Sequence, residues 1–280
     1  KQEQLISPGD NVLISISGGS DSTALTVLLY ELKNTLKINN LACAHFNHRL
    51  RGKEADRDEN FCKLLAEKLE LPFYSGFLTE KNPKGKSSQA FYREKRYKFL
   101  REISAKNNFN KIATGHTIDD NVETILMRLL SGTGSSGLTG INPIINNIIR
   151  PINTLTRKEL EKVLEEKEQN YVFDSSNLDD KYLRNALRLN ILPEISKIFP
   201  SYKNAIARFS EIIKEEDNYL NEIVFDKFTR YVEEKTNMIK IPYSVFNSKE
   251  IPIFRRLIKY CSEKLGVNLS HKNIKKLKIT

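Results

Sequence analysis

The stretch that decides the fold is Val12-Leu-Ile-Ser-Ile-Ser17, followed by Gly18-Gly-Ser-Asp-Ser22 and the run Thr23 to Leu32. The first segment is mostly apolar without helical spacing, which is typical of a buried strand, whereas the leucines of the last run have helical spacing. The two glycines between them let backbone N–H groups approach a ligand closely, and the start of a helix attracts anions. The stretch therefore predicts a phosphate-binding turn between a strand and a helix.

Three better-known signatures do not fit this turn. It lacks the G-x-x-x-x-G-K-[ST] of a Walker P-loop, position 22 is serine where a nucleophile elbow has glycine, and the pattern is not G-x-G-x-x-G. What remains is S-G-G-x-D-S after a strand. It resembles the loop of the N-type ATP pyrophosphatases, which implies contacts to the β- and γ-phosphates of ATP. The alternative is an ordinary polar turn in any α/β protein.

Length and composition indicate a globular chain. Its 280 residues can hold one large domain or a medium one plus a smaller one, and 39% apolar residues suffice for a packed core. No stretch approaches the roughly 18 apolar residues of a membrane helix, and no signal peptide precedes the first strand. Three cysteines without a C-x-x-C pair fit a reducing compartment. We expect a soluble, cytoplasmic protein without a membrane partner.

The net charge of +10 is unevenly distributed. Residues 251–280 carry eight Lys or Arg and a single acid, Glu263. Such a run is either a solvated helical face or a patch for a polyanion, and an ATP site elsewhere in the chain favours RNA as the polyanion. The chain also lacks an initiator Met and ends soon after a predicted helix start at Ser270, so we expect a trimmed chain.

Further apolar strands are predicted at Leu41–Phe46, Phe73–Leu78, Lys111–Gly115 and Ile148–Ile152, with helices at 54–71, 88–106 and 156–169 between or after them. Ligands of open α/β sheets bind at the carboxyl ends of strands, so the polar segment His45 to Arg51 is expected beside the first loop, with a nucleotide-binding role. His45 and His48, with Cys43 nearby, also raise a zinc site, but no second pair of spaced ligands follows.

The helix after Lys111–Gly115 begins with a group of acids. Asp119, Asp120 and Glu123 share a polar sector beside an apolar stripe. Compensation of the helix dipole needs only one or two acids, whereas three facing a nucleotide suit Mg²⁺ or an ammonium ligand. Arg93 and Arg96, one helical turn apart, are either solvated or neutralise charge on a leaving pyrophosphate.

Gly132 to Gly137 matches G-x-G-x-x-G by letter, but it follows a helix instead of a strand, so we predict a flexible loop near the site. The alternation of strands and helices stops near residue 190, and the pattern from Pro200 is helical apart from a short hairpin around Met238–Pro242. The predicted fold is α/β: a Rossmann-like parallel-sheet domain over residues 1–195, then a smaller, mainly α domain over 200–280.

Together the motifs resemble one family closely, tRNA(Ile)-lysidine synthetase of the PP-loop, or N-type ATP pyrophosphatase, superfamily. They run in family order from Ser17 to Arg188. The pattern departs from the family at Gln89, Ala90 and Phe91, where an acid and small residues are usual, and in its short C-terminus. The matches are Ser17-Gly-Gly-Ser-Asp-Ser22, His45-x-Asn47-His48-x-Leu-Arg51, Arg93-x-x-Arg96-Tyr97, Ala113-Thr-Gly-His116-Thr-x-Asp119-Asp120-x-x-Glu123-Thr124, Gly137-Leu-x-Gly140-Ile141, Arg150-Pro151, Asp174-x-Ser176-Asn177 and Arg184-Asn185-x-x-Arg188.

The resemblance implies a ligase that uses ATP and Mg²⁺. ATP adenylates the C2 oxygen of the wobble cytidine in tRNA(Ile) with a CAU anticodon, and the ε-amine of free L-lysine then displaces AMP to give lysidine. The second domain would bind the tRNA, and a homodimer is left open.

The resemblance also implies roles for individual residues. The expected nucleotide site consists of Ser17, Gly18, Gly19, Ser20, Asp21, Ser22, His45, Asn47, His48, Arg51, Gly115 and His116. Asp21 and Asp119 are the expected Mg²⁺ ligands. Asp120 and Glu123 are expected to bind the lysine ammonium, with support from Asp119, and a nearby carboxylate could accept its proton. Arg93 is expected to meet phosphates, and Arg96, Arg184 and Arg188 to bind RNA.

Two other functions stay open at this point. A tRNA sulfur-transferase on the same scaffold would also adenylate a base, but it needs a thiol relay or an iron–sulfur cluster, and the chain lacks C-x-x-C. A non-catalytic nucleotide-binding module would use the same loop, but it leaves Asp119, Asp120, Glu123 and the basic second domain without a role.

Overall fold

The computed structural model describes residues 4–50, 52–83, 85, 87–173, 183–236, 238–242, 250–267, 269 and 273–274. Several predicted features therefore lie outside the described residues: Arg51, Asp174, Ser176, Asn177, the helix start at Ser270, and Lys272, Lys275, Lys276 and Lys278. None of the described helices is both long and apolar enough to cross a membrane.

The first part of the chain is built around a mainly parallel sheet. Its strands are β1 (Asn11–Ser15), β2 (Asn40–Asn47), β3 (Phe73–Phe77), β4 (Lys111–Thr114), β5 (Ile144–Ile145) and β6 (Ile148–Ile149), in the spatial order β3-β2-β1-β4-β6-β5. β1 lies in the centre, where Val12 pairs with Leu41 on one side and Lys111 on the other. Among the described strands of this sheet, β5 alone runs antiparallel to its neighbour, β6. The predicted α/β fold with a parallel sheet is confirmed.

Helices cover both faces of this sheet because its strands are apolar on both faces. On one side, Val12 and Ile14 pack with α1 (Ser20–Glu31), α2 (Lys53–Lys68) and α6 (Arg157–Glu166). On the other side, Leu13 packs with Tyr97 and Leu100 of α3 (Ser88–Lys106). The sheet is thus buried between two helical layers, and polar side chains near its strand ends are free to form a site.

Capping boxes form at two of the helix starts. In α4 (Ile118–Leu130), the Thr117 side chain accepts from the backbone of Asp120, and the Asp120 carboxylate accepts from the N–H of Thr117 at 2.9 Å. Thr156 and Glu159 form the same arrangement at the start of α6. Each box satisfies backbone donors that have no partner within the helix. The first turns of α4 and α6 are therefore held rigidly.

The chain continues through α7 (Leu183–Ala186), a five-residue π-helical segment (Leu187–Ile191), α8 (Leu192–Ile198) and α9 (Tyr202–Tyr231). Leu187, Leu192 and Tyr202 pack against Ile118 and Val122 of α4. A π-helical turn inside a helical run often marks a functional position. Here it lies at Arg188, one of the predicted RNA-binding residues.

The chain divides into two compact units, Lys1–Gly132 with Gly140–Ala207, and Thr133–Thr139 with Arg208–Thr280. The second unit contains the later part of α9, a hairpin of β7 (Glu233–Lys235) and β8 (Met238–Lys240), and α10 (Ile251–Lys264). Its core is formed by Val224, Phe228, Ile253, Leu257 and Cys261.

Residues 133–139 belong to the second unit and form α5 (Ser135–Leu138), where the sequence predicted a flexible loop. Ser136 Oγ donates to Asp217 Oδ1 at 2.9 Å, and Arg256 donates to Ser135 Oγ at 2.8 Å. Arg256 also forms an ion pair with Asp217 at 2.7 Å. These contacts involve side chains far apart in sequence, which the local G-x-G-x-x-G pattern does not reveal.

Candidate active site

A cleft of about 730 Å³ lies at the carboxyl ends of β1, β2 and β4, where open α/β sheets bind their ligands. It brings together thirteen of the sequence-predicted residues: Ser17, Gly19, Ser20, Asp21, Ser22, His45, Asn47, His48, Arg96, Gly115, His116, Asp120 and Arg188. Gly18, Arg93, Asp119, Glu123 and Arg184 are described but do not line it.

The turn at Ser17–Ser22 is shaped to receive an anion. Gly18 has a φ of +89°, which residues other than glycine rarely adopt. Gly19 is the N-cap of α1, so no side chain at that position caps the first helical turn. The hydroxyls of Ser17 and Ser22 lie 3.0 Å apart at the edge of the cleft. The Ser22 hydroxyl donates to the Gly19 carbonyl at 3.1 Å, which helps to shape the turn. A helix N-terminus with a glycine cap presents backbone N–H groups that are suited to phosphate oxygens.

Two close approaches keep this turn in place. A Cβ on Gly115 would lie 3.0 Å from the backbone nitrogen of Ser22 and 3.1 Å from the backbone carbon of Asp21, so β4 runs directly against the turn. On the other side, the N–H of Val172 donates to the carbonyl of Gly18 at 2.8 Å. The backbone of Gly115 and that of Val172 thus border the turn. A glycine turn at a helix start, held in this way at the edge of the cleft, fits a nucleoside polyphosphate.

The polar end of β2 forms a second wall. His45 is buried, with its Nδ1 3.1 Å from the carbonyl oxygen of Ile16, and burial lowers the pKa of its imidazole. Asn47 donates to Glu59 at 2.9 Å and accepts from the N–H of Arg49 at 2.8 Å. The ring of His48 lies 5.5 Å from that of Tyr92. These contacts orient each side chain, and the described residues contain no group of three or more His, Cys, Asp or Glu arranged to hold a metal.

Asp21 of the turn is paired with a residue that the sequence analysis missed. Arg157, at the start of α6, places its Nη2 3.0 Å and its Nε 3.2 Å from Asp21 Oδ2. Burial raises the pKa of Asp21, and the Arg157 guanidinium offsets part of that rise. The backbone N–H of Arg157 also donates to Asp119 Oδ2 at 2.8 Å. One residue thus links the two carboxylates that were predicted to bind Mg²⁺.

Asp119 also forms an ion pair with Lys203, whose Nζ lies 2.5 Å from its Oδ1. Burial alone would raise the pKa of Asp119, but the hydrogen bonds from Lys203 and from the Arg157 N–H hold it below its usual value. Asp120, in contrast, uses its carboxylate to cap α4 and still faces the cleft. Of the three acids on α4, Asp120 is the one exposed to a ligand in this conformation.

Glu123 is 1% exposed and lies between two arginines. Its Oε2 lies 3.0 Å from Nε of Arg184, and its Oε1 lies 2.7 Å from Nε of Arg188. Arg184 also donates to the hydroxyl of Thr124 at 2.8 Å. The acid predicted to bind lysine and the two arginines predicted to bind RNA therefore form one ion-pair group, of which only Arg188 reaches the cleft.

His116 lines the cleft just after the end of β4. Its Nδ1 lies 3.0 Å from the hydroxyl of Thr114, which in turn donates to the carbonyl of Ile149 at 3.3 Å. The pKa of the His116 imidazole is lowered to about 4, mainly because the ring is buried. The negative charge of Asp120 opposes this change, whereas the positive charges of Arg150, Arg96 and Arg93 add to it. The imidazole is therefore neutral near pH 7. Arg93 and Arg96 both lie over the ring of Tyr97, at 5.5 and 5.4 Å.

Two aromatic side chains in the cleft were also missed. Tyr171 and Phe173 are 40% and 61% exposed, although large aromatic side chains are usually more buried. They flank Val172, whose backbone N–H donates to the carbonyl of Gly18. This hydrogen bond holds the segment beside the phosphate-binding turn. Exposed aromatic rings in a nucleotide cleft are suited to stacking on a base. The sequence does show two aromatic residues, Tyr171 and Phe173, shortly before Asp174, but it does not indicate which way their side chains face.

Comparisons with known proteins agree with this architecture. The PP-loop domain family matches residues 1–195. Among solved structures, the U34-tRNA thiolase from Methanococcus maripaludis, determined with its [4Fe-4S] cluster, superposes with a TM-score of 0.63 at 18% identity over 76% of this chain and 74% of that one. At that identity the likeness shows the fold alone. The class that fold and site define is therefore that of the PP-loop proteins.

Curated relatives place the chain more narrowly. The tRNA(Ile)-lysidine synthase of Caldanaerobacter subterraneus subsp. tengcongensis is 35% identical over 262 residues, which cover 91% of this chain and 55% of that protein. The tRNA(Ile)-lysidine synthase of Persephonella marina is 34% identical over 279 residues, covering 98% and 60%. The chain belongs to the tRNA(Ile)-lysidine synthase family, as its motifs predicted, and spans between half and two thirds of the length of these relatives.

Proposed function

We propose that this protein ligates L-lysine to C2 of the wobble cytidine of CAU-anticodon tRNA(Ile), using ATP and Mg²⁺, in the cytoplasm. The observation that supports this most is that one cleft contains the glycine turn at Ser17–Ser22, the carboxylate of Asp120 and the guanidinium of Arg188. An anion site, an ammonium site and an RNA-binding cation thereby face the same space. A nucleotide-binding module without catalysis has no use for the last two.

In the first step the C2 oxygen of cytidine would attack the α-phosphorus of ATP, forming a C–O–P bond and releasing pyrophosphate. Ser17, Gly18, Gly19, Ser20 and Ser22 would hold the β- and γ-phosphates by backbone N–H groups and hydroxyls. The adenylate would lie against His45, Asn47, His48, Gly115 and His116. The same role is proposed for Arg51, which lies outside the described residues. Asp21, with Asp119, would bind Mg²⁺, whose charge neutralises the phosphates. Arg93 and Arg96 would add positive charge on the side of α3.

In the second step the lysine ε-amine would attack C2, forming the C–N bond and releasing AMP. The amine must first lose a proton, and Asp120 is the exposed carboxylate able to bind the ammonium. Glu123 would join it when Arg184 and Arg188 turn toward the RNA, because both arginines are now paired with that carboxylate. Arg184, Arg188 and the basic second unit would bind the tRNA backbone.

The rival sulfur-transferase function is disfavoured by the cysteines. Cys43 and Cys62 are fully buried, and burial raises the pKa of the Cys43 thiol to about 12 and that of Cys62 above its usual value. Cys261 lies in the core of the second unit. Sulfur relay needs accessible thiolates of low pKa.

One assay tests the proposal: radiolabelled lysine, ATP, Mg²⁺ and CAU-anticodon tRNA, with the other amino acids as controls. Label should enter RNA only with lysine. Asp21→Asn should abolish AMP release, whereas the matched change Asp56→Asn, at an exposed position in α2, should not. Failure of lysine to enter RNA, with an active reference enzyme in parallel, would overturn the proposal.

A further inference from the structure

Arg157 bonds the side chain of one predicted Mg²⁺ ligand and donates its backbone N–H to the other. Its guanidinium contacts both oxygens of Asp21, with Nε 3.3 Å from Oδ1 and Nη2 3.0 Å from Oδ2, while its N–H donates to Asp119. Arg157 and Asp21 side chains are 25% and 18% exposed, so water screens the pair only partly. The carboxylate oxygens that a metal would need are therefore already bonded.

The second carboxylate, that of Asp119, is neutralised by Lys203 and also accepts the backbone N–H of Arg157. The guanidinium of Arg157 also lies within electrostatic range of Asp120 and Glu123. An arginine side chain keeps its proton in proteins. A permanent positive charge lies where the proposed reaction requires a divalent cation.

We propose that Arg157 is the resident counter-ion of the metal site: it neutralises Asp21 before ATP arrives and is displaced from that carboxylate by Mg²⁺. This inference rests on the proposed function for the identity of the metal. ATP approaches with its negative charges, and an unpaired Asp21 at the phosphate-binding turn would repel it. When the phosphates are bound, Mg²⁺ takes the place of the guanidinium at Asp21, so a double positive charge replaces a single one.

Arg157 lines the cleft, so its side chain has free space to enter once it leaves Asp21. Its backbone N–H bond to Asp119 and the Thr156 capping box hold the first turn of α6 meanwhile. The backbone is thus fixed and only the guanidinium moves. This exchange makes metal binding dependent on the nucleotide. Without ATP, Mg²⁺ must break the two-point ion pair between Arg157 and Asp21, whereas with ATP the displaced guanidinium can bind a phosphate group instead.

The test measures Mg²⁺ and ATP separately, in the absence of tRNA and lysine, by calorimetry and thermal shift. Arg157→Gln should bind Mg²⁺ alone about tenfold more tightly than the wild type, since Asp21 is released, and should bind ATP without Mg²⁺ about tenfold more weakly. Arg157→Lys, which keeps the charge but not the two-point contact, should tighten Mg²⁺ binding by a smaller factor. Lys162→Gln, an exposed change on the same helix, should alter neither constant.

A double variant excludes an indirect effect. In an Asp21→Asn background the Arg157→Gln change should no longer alter Mg²⁺ affinity, because the carboxylate that it releases is gone. The inference would be overturned if both Arg157 variants bound Mg²⁺, and ATP without Mg²⁺, with the affinities of the wild type. If Arg157→Gln fails to fold, the result for Arg157→Lys decides. These outcomes are separable from the proposed function. A wild-type protein that binds ATP with Mg²⁺ but transfers no lysine would refute the ligase assignment and leave the Mg²⁺ titrations valid.

Discussion

Arg188 binds the buried carboxylate of Glu123 at two points, with Nε 2.7 Å from Oε1 and Nη2 2.8 Å from Oε2. The pair joins α4 to the π-helical segment Leu187–Ile191, which is 65 residues away in sequence. A buried charge that loses its partner destabilises a protein strongly. The contact therefore has a structural role, and the proposed binding of lysine at Glu123 would require that it open.

Glu123→Gln tests this double role. The amide keeps the shape but loses the charge, so we expect the free energy of unfolding to fall by about 2 kcal/mol. Adenylation of tRNA, measured as pyrophosphate release, should continue, and incorporation of labelled lysine should fall at least tenfold. Glu102→Gln, an exposed change on α3, is the control. Equal loss of both steps in a folded variant would contradict a specific role in lysine binding.

Gly115→Ala probes the contact between β4 and the phosphate-binding turn. The new methyl group would press on the backbone of Ser22 and Asp21, which cannot yield as a side chain does. We expect a stability loss of about 1 to 3 kcal/mol and a clear increase in the dissociation constant for ATP. Gly134→Ala is the matched control, because its φ is −82° and nothing lies within 4 Å of the added atom. Unchanged ATP binding in Gly115→Ala would contradict the proposed placement of the phosphates.

Tyr171→Ala and Phe173→Ala test whether the exposed aromatics stack on the RNA base. Each should weaken binding of an anticodon stem-loop by about 1 to 3 kcal/mol and leave the dissociation constant for ATP unchanged, since adenine is assigned to the end of β2. Tyr30→Ala, with the same 40% exposure on α1 outside the cleft, should change neither constant. Weaker ATP binding with unchanged RNA binding would assign these rings to adenine instead.

The pH dependence of stability should report on His116. Its pKa is lowered from 6.5 to about 4, so between these values the unfolded chain binds a proton that the folded protein does not. Acidification from pH 6.5 to 4 therefore destabilises the protein, and this contribution is constant above pH 6.5. Denaturant unfolding of His116→Gln should show a shallower loss of stability over that window than the wild type. Parallel curves for the two proteins would contradict the lowered pKa.

Much of the fold was predictable from the sequence because apolar periodicity is a local signal. The helix over 88–106 was predicted with the bounds that α3 has, and Val12 to Ser17 includes most of β1. β5 was missed, since two residues, Ile144 and Ile145, are too few to show a period. The helix predicted over 54–71 ends earlier, at Lys68, where Leu69 and Glu70 leave helical geometry and Glu70 has a positive φ of 52°.

The site also contains features that the sequence predicts and features that it does not. The turn at Ser17–Ser22 and the acids of α4 could be predicted, because each is a short motif at a strand end or a helix start. Their partners could not: Arg157 and Asp21 are 136 residues apart, and Lys203 and Asp119 are 84 apart. A basic residue in a charged helix carries no sign of the carboxylate that it will meet. Tertiary pairing, and with it the charges that surround each carboxylate, required the structure.

The short segment Thr133–Thr139 has a practical consequence. It lies within the sequence of the first unit, yet its hydrogen bonds go to Asp217 and Arg256 beyond residue 207. A fragment cut near residue 207 would keep this segment and discard its partners, so Ser135 and Ser136 would lose the contacts that hold them. Recombinant expression of the nucleotide-binding half by itself should therefore yield a protein with a loosened, protease-sensitive stretch between α4 and β5, unless residues 133–139 are replaced by a shorter polar linker.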